Sequence, residues 1–271
     1  MASNFMKLLV TNDDGYTAPG IRALVAELKK HADVFVVAPV SQQSGISKAI
    51  TFMRPLTPQA IFDNDSENPE GYTVDGTPAD CVKLGIHKLC PFKPDAVISG
   101  INEGLNVGIN VCHSGTVGGA FTASMFDFKS IAVSVESSDN PDFDTAANLA
   151  WPIIERLIQT KFPNRTTLNL NFPDAAIREA QQGRAPEVVS VPVESNPLGY
   201  HFQTGTDPKN NNWFWSTNAP APKPSGWFTD VQAVTQGKVS LSALTYDPNH
   251  LEAAAILDEA FVSPAVDGTK G

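Results

Sequence analysis

The sequence has little basic charge and no long apolar run, and both shortages exclude classes of protein. Its 271 residues include 19 Lys and Arg against 29 Asp and Glu, which gives a formal net charge of −10. General nucleic-acid binding requires a basic surface, so we expect no nucleic-acid duplex as a partner. No stretch is long and apolar enough to span a membrane, so we expect no membrane partner. A small phosphorylated ligand is not excluded, because a bound metal supplies local positive charge.

Cysteine is also scarce. Cys81, Cys90 and Cys112 are an odd number without a CxxC pair. They indicate reduced thiols, not a disulfide framework or a zinc site. The first residues, MASNFMK, lack the apolar run of a signal peptide. We therefore expect a cytoplasmic protein.

Strand and helix patterns alternate over the first two-thirds of the chain. Short apolar runs predict strands, and apolar residues at helical spacing predict the helices between them. The predicted strands are residues 7–11, 33–38, 95–99, 131–135 and 167–172, and the predicted helices are 18–31, 77–89, one beginning near 114, and 145–158. A glycine- and asparagine-rich loop is predicted over residues 100–108. This alternation predicts an α/β fold: a three-layer, Rossmann-like, mostly parallel sheet with helices on both faces.

The pattern changes after about Pro173. Short alternating stretches predict strands at residues 188–193, 231–234 and 239–244, followed by a terminal helix at 251–261. Trp213 and Trp215 would share one face of a strand in an extended hairpin arm, where they pack locally, contact another subunit or stack on a base. We expect one α/β domain over residues 1–271, with a core of about 6–173 and a C-terminal hairpin and oligomerisation extension of about 174–271.

Two adjacent carboxylates end the first predicted strand. Asp13 and Asp14 follow that strand, and Gly15 allows a sharp turn after them. In open α/β sheets, ligands bind beyond the carboxyl ends of the strands. Neighbouring carboxylates repel each other unless a cation or a proton lies between them, so the pair favours a hard cation such as Mg²⁺ or Mn²⁺. The alternative is that both residues simply cap the next helix.

Two further loops follow predicted parallel strands and should meet the acidic pair at the same edge of the sheet. One contains Ser44 and Gly45, and the other extends from Asn102 to Thr116. Carboxylate, hydroxyl and amide oxygens suit Mg²⁺ or Mn²⁺ and not zinc. The second loop ends in Ser114-Gly115-Thr116 at a predicted helix N-terminus, where N–H groups and the helix dipole favour phosphate. A metal and an anion site together imply phosphoryl chemistry.

Several short motifs occur in a fixed order over roughly residues 6–136. They are Asn12-Asp13-Asp14-Gly15, Ala18-Pro19-Gly20-Ile21, Val37-Ala38-Pro39, Ser44-Gly45, Gly76-Thr77-Pro78-Ala79-Asp80-Cys81, Ser99-Gly100-Ile101-Asn102 with Gly104 and Asn106, and Ser114-Gly115-Thr116-Val117. In sequence and order they resemble the stationary-phase survival protein (SurE) family of 5′-nucleotidases. The resemblance is weaker beyond residue 136, although the stretch from Thr229-Asp230 to Leu244 is similar to the family's late strand pair.

The resemblance implies one divalent metal ion per subunit, Mg²⁺ or Mn²⁺, held by four residues: Asp13, Asp14, Ser44 and Asn102. It implies that phosphate is held by a second set: Gly45, Asn106, Ser114, Gly115 and Thr116. The activity it implies is hydrolysis of nucleoside 5′-monophosphates, with 3′-monophosphates as further candidate substrates. The assembly it implies is a homodimer or homotetramer with C-terminal elements exchanged between subunits.

The leading hypothesis is therefore a phosphomonoesterase in which a metal-activated water attacks the phosphate in line. Either Asp13 or Asp14 orients or deprotonates that water. His113 either donates a proton to the leaving oxygen or packs as a loop residue. The competing hypotheses are a non-enzymatic, Mg²⁺-binding signalling module of receiver type and a metal-dependent sugar-nucleotide transferase.

The chain departs from the family pattern in the loop after the second predicted strand. Val40, Gln42 and Gln43 stand where many relatives carry an acidic residue and arginines. This departure concerns the choice of substrate and not the metal.

Overall fold

The structure is a computed structural model that describes residues 5–62, 68–196, 200–218 and 226–261. The strands in chain order are β1 (Met6–Thr11), β2 (Ala32–Pro39), β3 (Pro58–Ile61), β4 (Gly71–Val74), β5 (Ala96–Glu103), β6 (Lys129–Val135), β7 (Thr166–Phe172), β8 (Val188–Ser190), β9 (Tyr200–Thr206), β10 (Asn212–Asn218) and β11 (Val239–Thr245). The helices are α1 (Pro19–Leu28), α2 (Pro78–Leu84), α3 (Gly115–Met125), α4 (Phe143–Gln159), α5 (Asp174–Gln181), α6 (Asp230–Thr235) and α7 (Leu251–Phe261). A π-helical turn, Gly85–Leu89, continues α2, and a 3₁₀ segment, Gly108–Cys112, precedes α3.

Nine of the described strands form one sheet in the order β3-β4-β2-β1-β5-β6-β7-β11-β8. The pairs from β4 to β7 are parallel, whereas β3 pairs antiparallel with β4 and β11 antiparallel with β7. The chain leaves β1 toward β2 on one side and returns to β5 on the other. The space beyond the carboxyl ends of β1 and β5 is therefore the switch point at which such sheets bind ligands.

The sheet is buried on both faces, because successive side chains of a strand point in opposite directions. Leu8 and Val10 of β1 pack in the cluster that contains α1, α4 and α5. Leu9, between them, packs with Val82 of α2 on the opposite face, where α3 also lies. The predicted three-layer, mostly parallel α/β fold is confirmed.

The first residues of α1 and α2 are those that local sequence signals predict. Thr77 caps α2 as predicted, since its Oγ1 accepts the backbone N–H of Asp80 at 3.1 Å. Pro19 lies in the first turn of α1, where its missing N–H costs nothing. That helix ends at Leu28, whereas the sequence predicted that it would continue to residue 31.

Two sequence predictions are wrong. Residues 100–103 were expected in a loop, but β5 continues through them to Glu103, with an irregular register between Ser99 and Asn102. Residues 231–234 were expected in a strand but lie in α6. The backbone N–H of Thr229 donates to Oε1 of Gln232 at 2.8 Å, half of the capping signature that favours a helix here over the alternating pattern.

The C-terminal part contains the predicted hairpin and terminal helix. Strands β9 and β10 form a separate antiparallel pair, and α7 spans Leu251–Phe261. Residues 219–225, which contain most of the proline-rich end of the predicted arm, lie outside the described residues. Within the described residues, no helix combines the length and the apolar character needed to cross a membrane. The division at about residue 173 stays a prediction, since β8 and β11 belong to the main sheet.

Candidate active site

The candidate site lies where the chain leaves β1. Gly15 has a φ of +100°, a conformation that favours glycine, and it turns the chain against the loop that follows β2. A Cβ at Gly15 would lie 3.4 Å from the backbone of Ser41, and the N–H of Tyr16 donates to the carbonyl of Pro39 at 2.9 Å. The turn that carries Asp13 and Asp14 is therefore fixed against the loop that carries Ser44.

Asp13 is enclosed at the N-terminus of α3. Its side chain is 3% exposed and accepts hydrogen bonds from both the hydroxyl and the backbone N–H of Thr116. Ser114 caps the helix, because its Oγ accepts the N–H of Val117 at 3.1 Å. A Cβ at Gly115 would lie 2.8 Å from Oδ2 of Asp13, so glycine is needed for this close approach. The acidic turn and the Ser114-Gly115-Thr116 motif thus meet directly.

This contact changes the interpretation of Thr116. Its hydroxyl was expected to hold phosphate, whereas in the structure that hydroxyl orients the Asp13 carboxylate. The predicted contact of Thr116 with phosphate stays a prediction. The loop after β2 also reaches this place, since the N–H of Gln43 donates to the carbonyl of Asp13 at 2.6 Å.

Asp14 faces the other side of the turn. It accepts the backbone N–H of Glu103 at 3.3 Å and a hydrogen bond from the side chain of Gln42. Gln42 in turn donates to Oγ of Ser44 at 3.0 Å, so a short chain of contacts links Asp14 to Ser44. A cavity of about 270 Å³ opens here, and its lining includes Asp14, Gln42, Glu103 and Phe143.

The two asparagines of the predicted site are placed differently. Asn102 is half-buried at the end of β5, and its Nδ2 donates to the carbonyl of Gly104 at 2.6 Å. Asn106 is buried beneath the loop, and its Nδ2 donates to Oγ of Ser134 at 2.9 Å. Asn102 therefore lies at the carboxyl edge with Asp14, while the side chain of Asn106 is bound to β6. Its predicted phosphate contact also stays a prediction.

Gly45 and His113 lie at the rim. Gly45 is exposed with a φ of +72°, and a Cβ there would have nothing within 4 Å, so open space adjoins it. His113 is exposed immediately before Ser114, and its carbonyl accepts the N–H of Ser47 at 3.0 Å. The loop after β2 is thereby tied to the residue that precedes the helix cap.

The charges around the acidic pair leave an excess of negative charge. Burial raises the pKa of Asp13 to about 6, against the hydrogen bonds from Thr116, and the charge of Asp14 raises it further. Burial also raises the pKa of Asp14, with Glu103 as a second negative neighbour. A cation at this place would favour the ionised form of both carboxylates.

The donors present fit a hard cation. Thr11 Oγ1 and Asn12 Oδ1 are buried where β1 ends, without a hydrogen-bond partner among the described residues. Ser99 Oγ in the middle of β5, Asn169 Oδ1 of β7 and Ser240 Oγ of β11 are unpartnered as well. Among the residues that the structure describes, no three His, Cys, Asp or Glu side chains are grouped to hold a metal. A cation beside Asp13 and Asp14 would therefore need hydroxyl or amide oxygens as further ligands, the type of donor that Mg²⁺ and Mn²⁺ accept.

Sequence reasoning did not find the residues that hold the site loop from below. Asn171 of β7 accepts the N–H of Asn106 at 2.8 Å through Oδ1, and Asn169 donates to the carbonyl of Asn106 at 2.7 Å. Asp230 accepts the N–H of Gly108 at 2.9 Å. The available signal was compositional: asparagine is rare in strands, and two of them alternate with apolar residues in β7.

Comparisons with known proteins agree with one another. A family model described as "Survival protein SurE" matches residues 8–190. The chain is 39% identical over 243 residues to the 5′-nucleotidase SurE of Rhodopirellula baltica, covering 89% of this chain and 93% of the relative. It is 37% identical over 266 residues to the 5′-nucleotidase SurE of Thermosipho melanesiensis, covering 96% and 100%. The crystal structure of the SurE protein from Aquifex aeolicus is similar with a TM-score of 0.78 and 32% identity, covering 94% and 99%.

Proposed function

The chain belongs to the SurE family, and we propose that it is a metal-dependent 5′-nucleotidase, a phosphoric monoester hydrolase acting on nucleoside 5′-monophosphates. The observation that carries the proposal is the pair Asp13 and Asp14 at the switch point of the sheet, with Asp13 against the N-terminus of α3 and Asp14 against the end of β5. The names of the relatives support a 5′-nucleotidase enzyme over a signalling module or a transferase. Activity on 3′-monophosphates is a further proposal.

One Mg²⁺ or Mn²⁺ per subunit would be held by Asp13, Asp14, Ser44 and Asn102. When bound, the cation supplies positive charge to the phosphoryl group and makes water a stronger acid. The acidic pair supports this assignment. Burial raises the pKa of both carboxyl groups, and the negative charges of Asp14 and Glu103 raise them further, so a cation would relieve the repulsion. The unpartnered Oδ1 of Asn12, the residue before Asp13, supports it further.

The protein's own groups would act on the water and the phosphate. Either Asp13 or Asp14 orients the attacking water or takes its proton. Thr116 holds Asp13 in one orientation for this step. Gly45, Asn106 and the N-terminus of α3 at Ser114 and Gly115 would bind phosphate oxygens.

His113 is the candidate general acid. Its exposed side chain lies beside the helix N-terminus, where it would donate a proton to the leaving oxygen of the nucleoside. A His113→Gln variant that retains full turnover would exclude His113 as the general acid and leave it as an exposed loop residue.

The assembly is proposed as a homodimer or homotetramer formed through the exposed hairpin β9–β10. A cytoplasmic location stays a prediction.

The test is phosphate release from a panel of nucleoside 5′- and 3′-monophosphates with Mg²⁺, with Mn²⁺ and with EDTA. We expect release with a metal and none with EDTA. Hydrolysis in ¹⁸O-labelled water should place one labelled oxygen in the phosphate, and a trapped acyl phosphate would overturn attack by water. No release with either metal, from protein shown to be folded, would contradict the proposed function and make Val40, Gln42 and Gln43 the first positions to exchange.

A further inference from the structure

Asp230 is a buried carboxylate outside the acidic pair. It is 0% exposed and is the first residue of α6. Its Oδ2 accepts the backbone N–H of Gly108 at 2.9 Å, and its Oδ1 accepts those of Glu194 at 2.9 Å and Val231 at 2.8 Å. Hydrogen bonds to an ionised oxygen are stronger than those between neutral groups. This carboxylate therefore ties the start of α6 to two other segments of backbone, at Gly108 and at Glu194.

The segment that contains Gly108 leads to the phosphate end of the candidate site. Gly108 follows Asn106 by two residues and begins the 3₁₀ segment that ends just before His113 and Ser114. It has a φ of +62°, and a Cβ there would lie 3.4 Å from the side chain of Val231. The middle of the site loop is thus docked on α6 through its backbone.

A second anchor holds the same loop from the sheet. Asn169 and Asn171 of β7 bind the backbone of Asn106 at both its carbonyl and its N–H. The sheet fixes the start of the segment at Asn106, and the bond from Gly108 to Asp230 holds the residues that follow. Farther along, the carbonyl of Cys112 accepts the hydroxyl of Ser47 at 2.7 Å. Without the bond to Asp230, the part of the loop around Gly108 would lose its hydrogen bond to α6.

We propose that Asp230 is a positioning residue for phosphate binding, which sets the path of the loop between Asn106 and Ser114 by holding Gly108. It touches neither substrate nor metal and acts through the loop backbone. The proposal rests on the proposed function, because the phosphate in question is that of the substrate. It predicts an effect on phosphate binding that is separable from metal binding by Asp13 and Asp14.

Asp230→Asn is the variant that tests it. An amide has one oxygen, so it cannot accept from Gly108 on one side and from Glu194 and Val231 on the other. The oxygen should remain with the two donors, which leaves the N–H of Gly108 facing an NH₂ group. We expect KM for adenosine 5′-monophosphate and the inhibition constant of inorganic phosphate each to rise about tenfold, the effect of one lost charge-assisted hydrogen bond. The turnover number and the affinity for Mn²⁺ should each change less than about threefold.

Asp142→Asn is the matched control. Asp142 is also a helix-capping carboxylate with several donors, accepting from the N–H of Thr145 at 2.9 Å and from Gln181 at 2.7 Å, but these partners belong to α4 and α5 and not to the loop. It should lower the thermal midpoint as Asp230→Asn does and leave KM unchanged. An equal rise of KM in both variants would reduce Asp230 to a structural role and overturn the proposal.

Hydrogen exchange tests the anchor without relying on activity. Residues 104–114 of the wild type should already be protected in the absence of ligand, and Asp230→Asn should lose protection in that stretch while residues 6–16 keep theirs. If the wild type hydrolysed no nucleotide, the proposed function would fail, yet these exchange rates would still decide the role of Asp230. Fast exchange of residues 104–114 in the unliganded wild type, slowed only by Mn²⁺ with inorganic phosphate, would overturn the proposal even if Asp230→Asn did not fold.

Discussion

The carboxyl edge of the sheet and the hairpin β9–β10 depart from ordinary burial in opposite directions. At the edge, Asp13 is 3% exposed, and buried oxygens of Thr11 and Asn12 have no hydrogen-bond partner among the described residues. In the hairpin, Phe214 and Trp215 are 68% and 69% exposed. Soluble proteins usually pair their buried polar groups and cover their large aromatic side chains.

The unusual burial of each region indicates which kind of partner would stabilise it. Buried carboxylates with raised pKa values are stabilised by a cation or a proton between them. Exposed aromatic side chains need a second apolar surface. Because Phe214 and Trp215 are adjacent in β10, they point to opposite faces of the hairpin, so both faces are apolar. We infer that the edge is completed by an ion and the hairpin by another subunit.

The largest effect should come from removing one charge of the edge. Asp14→Asn should lower metal-dependent turnover on the order of 10³-fold, because it removes a proposed metal ligand and base. The thermal midpoint measured without metal should stay unchanged or rise, since burial and the charge of Glu103 raise the pKa of Asp14 and so oppose its ionised form. Phosphate release and thermal unfolding measure the two quantities.

The control for this prediction is Asp33→Asn, which removes an exposed carboxylate of β2. It should leave turnover within about twofold of the wild type, because surface substitutions have small effects. Wild-type turnover of Asp14→Asn with normal metal dependence would contradict the ligand assignment.

Changes in the hairpin should weaken the assembly of subunits and leave metal binding at the edge unaffected. Deleting residues 207–226 should weaken oligomerisation more than it weakens metal binding. A second variant keeps the chain length. Phe214→Ser with Trp215→Ser should raise the dissociation constant of the oligomer by about tenfold or more, because a few aromatic side chains carry most of the binding energy of an interface. Light scattering over a concentration series gives the constant, and Mn²⁺ titration gives the metal affinity.

Thr217→Ser is the matched control in the same strand, because serine keeps a hydroxyl to donate to the carbonyl of His201. An oligomer of unchanged mass in the double variant would count against the hairpin as the interface. A metal affinity that fell together with the mass would show that the two regions are one functional unit.

The sequence was sufficient to predict the parallel sheet and the edge at which its loops meet. Apolar runs predicted β1, β2, β6 and β7, and parallel order placed their loops at one edge. The prediction was wrong at residues 231–234, because the alternating pattern was weighed above the start signal at Thr229 and Gln232. It was wrong at residues 100–103, because glycine and asparagine usually indicate a loop.

The contacts within the site could not be predicted. Asp13 and Thr116 lie 103 positions apart, and Gly108 and Asp230 lie 122 apart. A donor and an acceptor so distant in the chain carry no local pattern, so composition predicts that both are polar and not that they meet. Only the three-dimensional structure shows that the hydroxyl of Thr116 binds Asp13 and that Asn169 and Asn171 bind the backbone of Asn106.

The smallest effect should come from Glu27, a carboxylate of α1 that is buried like Asp13 but paired within the protein. Burial alone would raise its pKa, but hydrogen bonds and positive charge from Lys30 and His31 outweigh burial and lower it. A carboxyl group with a lowered pKa in the folded state contributes stability above its unfolded pKa and loses that contribution as the pH falls. Glu27→Gln should therefore reduce the free energy of unfolding by about 0.5 kcal/mol at pH 7.

That difference should shrink as the pH falls below 4.5, the ordinary pKa of glutamate, and turnover should not change at any pH. Urea unfolding of the variant and the wild type at several pH values measures the difference, with Asp33→Asn again as the exposed carboxylate. A loss of turnover in Glu27→Gln would contradict the distinction between the two carboxylates. If a carboxylate paired with positive charge mattered for catalysis, burial without a positively charged partner would no longer separate the site from the rest of the molecule.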